Sequence, residues 1–154
     1  AMHDSLLGLP RNIRVERDTI VVREARALGL SPAIALALAW VENRSADSLA
    51  VSSAGAVGLM QVMPPAMFVM RGNRMAAAQR LILIIDVCGE ERLRERVCNV
   101  RVGLRLYSDY LAHYRNEERA LVAYNGAGAY PHAAASYVAA VRRHVRDLGQ
   151  GTGE

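Results

Sequence analysis

The chain contains no lysine: all 19 of its basic residues are arginine. So complete a bias reads as a mark of genomic base composition rather than of mechanism. No run of 18 apolar residues occurs, so no transmembrane helix is expected. No arginine block is interleaved with aromatics and no nucleic-acid motif appears. The net charge of +4 therefore suggests an anionic partner without suggesting nucleic acid. No histidine stands at zinc-ligand spacing beside the two cysteines and there is no C-x-x-C pair, so no metal or other cofactor is expected. Aromatics are scarce, with one Phe and one Trp, and the 52% apolar content is made largely of Ala, Val and Leu. Such small side chains suit closely packed helices. A charged fraction of 22% argues against disorder, and 154 residues fit one domain with a real core. No leader peptide is recognisable. Ala1-Met2-His3 reads as a trimmed start, which leaves export open.

Two cysteines are present, Cys88 and Cys98. Either they clip a helix-turn-helix corner as a disulfide, with about 2–3 kcal/mol from loop closure, or they sit reduced in the core. A bond would indicate an oxidising compartment.

Along the chain, residues 1–17 read as a lead-in in which Gly8 and Pro10 break any helix. Asp18 or Thr19 can cap a helix to about Leu28, closed by Gly29. Residues 44–63, rich in Ser and Gly, predict a loop or small hairpin. Helices are expected at 66–72, 75–87, 98–114, 117–124 and 132–147, with an exposed charged turn at Glu90–Arg96 and a disordered tail over 149–154. The expected unit is one mainly α domain over 18–148. It has six or seven helices around a buried central helix, with a small irregular or β region, the layout of lysozyme-like folds.

The central helix is Ser31 through Asn43. Ser31 suits an N-cap and Pro32 the first helical position, and the residues that follow are apolar all round. At the end of this greasy helix comes one carboxylate, Glu42. Burial and the negative end of the helix dipole both disfavour its charged form and push it toward a general acid. The alternative is that Glu42 merely ends the helix and reaches solvent.

Four stretches then fall in order: Ala39-Trp40-Val41-Glu42; Ser52-Ser53-Ala54-Gly55-Ala56-Val57-Gly58-Leu59-Met60-Gln61-Val62-Met63-Pro64; Asn99-Val100-Arg101-Val102-Gly103; and Ala123-Tyr124-Asn125. Together they resemble the soluble lytic transglycosylase family of peptidoglycan-cleaving enzymes, over roughly residues 20–145. The resemblance implies Glu42 as the single catalytic carboxylate. It implies Ser52, Gln61, Met63, Tyr124 and Asn125 as cleft positions near the scissile bond. Taken alone, Met63 could be core filler and Ser52 a turn cap, with Gly55 and Gly58 serving the backbone. Ordinary glycosidases need two carboxylates. The nearest second one here, Asp47, matches no motif position.

The family chemistry would use Glu42 as acid and then as base. It would form a 1,6-anhydro-MurNAc end, with no metal and no water consumed. Three departures stand out. Asn43 follows the Glu where Ser is common, the Glu-to-Gly-Ala spacing is about one residue longer, and Gly126-Ala127-Gly128 follows Tyr124-Asn125. They fit small members accompanying secretion systems, pili or phage particles, acting in the periplasm, the cell envelope or the phage particle. A goose-type-lysozyme-like hydrolase using Asp47, or a non-catalytic wall-binding assembly module, are the alternatives.

Overall fold

The computed structural model describes residues 9–126 and 128–152. Seven helices occur among them: α1 (Leu9–Ala27), α2 (Pro32–Glu42), α3 (Pro65–Met70), α4 (Arg74–Cys88), α5 (Arg96–Tyr114), α6 (Glu117–Asn125) and α7 (Pro131–Thr152). None is long and apolar enough to cross a membrane.

Local chemistry accounts for most boundaries. Ser31 accepts the Ile34 N–H at the start of α2, and Asn73 and Asn116 accept from Ala76 and Arg119 at the starts of α4 and α6. Glu95 accepts from the amides of Val97 and Cys98 at the start of α5. Gly89 and Gly126 end α4 and α6 in the left-handed region, where a glycine carries no Cβ penalty.

Two expectations are corrected. The segment 9–17 is helical rather than a lead-in, because Pro10 falls in the first turn of α1, where a missing N–H loses no partner. Arg17, in the third turn of α1, ties the helix to the end of α2: it is 3% exposed and donates to the Asn43 carbonyl at 2.9 Å. Residues 1–8, Gly8 included, lie outside the described residues. At the other end α7 continues through 149–152 instead of giving way to a loose tail. A glycine inside a helix costs about 1 kcal/mol against alanine, which lowers helicity without forbidding it. Residues 153–154 lie outside the description.

One core joins the elements. Helix α2 packs against α1 and α7, and α5 packs against α1, α4 and α6. No residue of α2 is fully exposed, so the all-round apolar pattern does mark a covered helix. The centre is shared, however, because α5 buries Cys98, Asn99, Val100, Val102, Gly103, Leu104 and Tyr107. Cys88 and Cys98 are bonded, tying the last turn of α4 to the first of α5. The turn between them is exposed except for Leu93, which joins the core. Residues 44–63 form an irregular loop with isolated antiparallel bridges Val51–Val57 and Val57–Val62.

Candidate active site

Glu42 stands where α2 ends. Its Oε2 accepts a hydrogen bond from the Tyr137 hydroxyl of α7 at 2.6 Å. Burial raises its pKa to about 7, against the opposing pull of the Tyr137 bond, which favours the anion. Burial first, and the Glu42 charge next, push the hydroxyls of Tyr124 and Tyr137 upward, so both remain donors.

The carboxylate faces a cleft of about 350 Å³. Every expected site residue lines it: Glu42, Ser52, Gln61, Met63, Tyr124 and Asn125. Phe68, Arg71, Arg80 and Tyr110 complete much of the wall. Among the described residues Glu42 is the only carboxylate in that lining. Asp47 is exposed, accepts the Leu49 N–H at 2.9 Å, and lies outside it. A larger groove of about 670 Å³ between α6 and α7 shares Gly126 with the cleft, but its wall is mostly apolar and its carboxylate, Glu118, is exposed.

The loop wall is held by amide side chains. Asn43, buried, donates to the carbonyls of Asp47 (2.8 Å) and Gly58 (3.0 Å) and accepts from the Ser45 hydroxyl. Asn99, fully buried on α5, donates to Val57 and Leu93 carbonyls at 2.9 Å each and accepts the Met60 N–H at 2.8 Å. That close approach requires glycine at 58: φ is +82°, and a Cβ there would overlap the Asn99 amide. Gln61 spends its amide on the Gly58 carbonyl at 3.0 Å, and the Ser52 hydroxyl accepts the Ala56 N–H at 3.1 Å. Ser52 is thus a turn-former as well as a cleft residue.

The helical wall is built from tyrosines and one arginine. Tyr124 donates to the Met60 carbonyl at 2.7 Å, joining α6 to the loop. Gly103 of α5 lets Met60 and the Tyr124 hydroxyl close in, since a Cβ there would strike both. Arg80 of α4 donates to the Met63 carbonyl at 2.6 Å and lies over the Phe68 ring; its burial lowers the guanidinium pKa. On the other side of α2, Trp40 stacks on His144 of α7 at 4.9 Å with three guanidiniums, of Arg14, Arg17 and Arg44, about its ring.

Sequence reasoning missed Tyr137, Arg80 and Tyr110. For Tyr137 a signal existed. Ala134, Tyr137, Val138 and Val141 form an i, i+3, i+4, i+7 stripe, all buried, and a tyrosine in such a stripe must find a partner for its hydroxyl. Arg80 stands beside Gln79 just before the apolar run Leu81–Ile85, where an exposed position was equally compatible with the sequence.

The family model of the transglycosylase SLT domain matches residues 20–141, most of the chain. The chain belongs to the SLT transglycosylase family. No curated protein matches it. Membership makes peptidoglycan the substrate class and glycan cleavage of the lytic transglycosylase type the family-level activity. SLT domains act on the cell wall, which agrees with extracytoplasmic action. The Cys88–Cys98 bond suits an oxidising compartment as well.

Proposed function

We propose that this SLT domain is a lytic transglycosylase that cleaves the β-1,4 bond between MurNAc and GlcNAc and leaves a 1,6-anhydro-MurNAc end. The observation that carries this is the solitary carboxylate of the cleft, half-buried and held by Tyr137, with a pKa near neutrality. A lone acid suffices when the substrate supplies the nucleophile.

The Glu42 proton passes to the glycosidic oxygen as its bond to C1 breaks, and the neighbouring N-acetyl group assists departure. The Glu42 carboxylate then takes the proton of the muramic 6-hydroxyl, whose oxygen bonds to C1. Glu42 returns to its acid form and no water is consumed. Tyr137 is a positioning residue: its hydroxyl fixes one carboxylate oxygen and leaves the other for the sugar. Ser52, Gln61, Met63, Tyr124 and Asn125 would contact the glycan around the scissile bond. Arg71 and Arg80 give the rest of the cleft a positive bias suited to an anionic polymer.

A hydrolase needs a second carboxylate to position water, and Asp47, the candidate for it, is outside the cleft lining. A purely wall-binding module would have no use for a carboxyl poised near neutrality. We further place the protein in the periplasm or cell envelope, or on a phage particle, serving a secretion, pilus or phage assembly. Mass spectrometry of digested peptidoglycan decides the chemistry. Anhydro products, one water lighter than reducing ends, are expected; reducing ends alone would make the protein a lysozyme.

A further inference from the structure

Helix α4 is apolar on two faces. Ala77, Ile84 and Cys88 point into the molecule. About 120° further round the helix, Met75, Ala78, Ile82 and Ile85 fall within about 80° of arc at 3.6 residues per turn, and all four are exposed. The exposure is large, 73% for Met75 and 66% for Ile82, and Met70 at the end of α3 adds 76%. Contiguous apolar patches of this kind are uncommon on the surface of a monomer.

The charges bounding the stripe differ in sign at its two ends. Arg74 stands at the start of α4 and Asp86 in its last turn, while Glu90, just beyond the helix, is paired with Arg92 at 3.2 Å. Arg74 is exposed and has no ion pair among the described residues. Asp86 has one, to Arg105 at 3.4 Å, with both side chains well exposed. A uniformly anionic lipid surface would attract one end of this stripe and repel the other. A second copy of the chain, laid antiparallel, would satisfy both.

We propose that the outer face of α4 is a self-association surface on which two copies of this chain pack antiparallel about a two-fold axis. With the axis level with residue 80, Met75 comes opposite Ile85 and Ala78 opposite Ile82 of the second copy, a small side chain facing a large one. Arg74 comes level with Asp86 of the second copy. Each pairing occurs twice by symmetry, as a two-fold interface demands. The helix spans about 22 Å, so the contact is short and the dimer dissociates readily. The cleft stays open, because none of the four stripe residues, nor Arg74 or Asp86, lines it.

Sedimentation equilibrium of the full chain, with its charge variants, tests this. The unaltered chain should show a concentration-dependent monomer–dimer equilibrium. Arg74→Glu and Asp86→Arg should each weaken it by about tenfold or more, since each sets like charges at both ends. The double variant, or a one-to-one mixture of the two single variants, should recover it, because opposite charges then face each other again. Both changes suit the helix dipole, acid at its start and base near its finish, so folding survives and circular dichroism can verify it. A chain monomeric up to about 1 mM, single variants that dimerise as before, or a double variant that stays monomeric would each overturn the proposal. Co-sedimentation of a monomeric chain with phosphatidylglycerol vesicles would overturn it in favour of a membrane-facing surface.

Discussion

The two walls of the cleft keep their shape by different means. The loop wall, 43–63, has little regular structure, and its backbone is held by side-chain amides: Asn43 and Asn99 occupy four backbone carbonyls and the Met60 N–H between them. The helical wall needs no such help for its backbone, so its polar atoms are free for other work. Tyr137 meets Glu42, Tyr124 meets Met60, and Arg80 meets Met63. One wall spends its polar groups on existing as a shape, while the other directs them toward the Glu42 carboxylate and the loop it faces. Substitutions in the first should therefore act on stability, and those beside Glu42 in the second on chemistry.

The sharpest break falls on the carboxylate itself. Glu42→Gln should lower the rate of glycan cleavage by about 10²–10⁴-fold while the fold persists, as the amide can neither give nor take the proton. Full activity of that variant in a muropeptide assay would remove Glu42 from the mechanism.

Asn99→Ala tests the loop wall. It orphans the Met60 N–H and the Val57 and Leu93 carbonyls in a dry core, at a cost of about 3 kcal/mol or more, read as a melting point lower by about 6–12 °C. Activity per folded molecule at low temperature should change far less.

Glu42→Gln also has a stability signature. The folded state holds the Glu42 proton up to about pH 7, whereas the unfolded chain releases it near 4.5. Native Glu42 is therefore harmless below pH 4.5 and increasingly costly as pH rises toward 7. The glutamine variant should match the parent near pH 4 and exceed it by about 2–3 kcal/mol at pH 8 in urea titrations. Equal curves at both pH values would show that Glu42 is not buried at a cost.

The mildest change is Tyr137→Phe. It should cost about 1 kcal/mol at pH 5 and lower turnover about tenfold. The lost bond favoured the anion, so the alkaline limb of the pH–rate profile should move to higher pH. If instead Tyr137→Phe unfolded the protein as readily as Asn99→Ala and left the profile in place, the division between the walls would collapse.

Much of this was readable in the amino acids because it rested on local rules. Ser31-Pro32 starts α2, the apolar run predicts its burial, and the Gly-rich motif foretells a loop that turns tightly at Gly58. The expected cleft residues come together because three motifs, distant in sequence, fold onto one carboxylate. What escaped depended on tertiary partners. Arg17 fastens α1 to the end of α2 by reaching Asn43, and nothing within residues 9–17 announces that partner. Asn43, a departure from the usual serine, is understood only once Gly58 and Asp47 are seen beside it. Tyr137 is 95 residues from Glu42, and its part in the site follows only from α2 and α7 lying side by side.

The single indole of the chain lies on that α2–α7 contact, two residues before Glu42 and stacked on an imidazole. Its emission is thus a label-free gauge of whether the helix bearing Tyr137 is seated against the helix bearing Glu42. Stopped-flow fluorescence with glycan fragments would read that seating in real time, with no dye attached and no residue replaced.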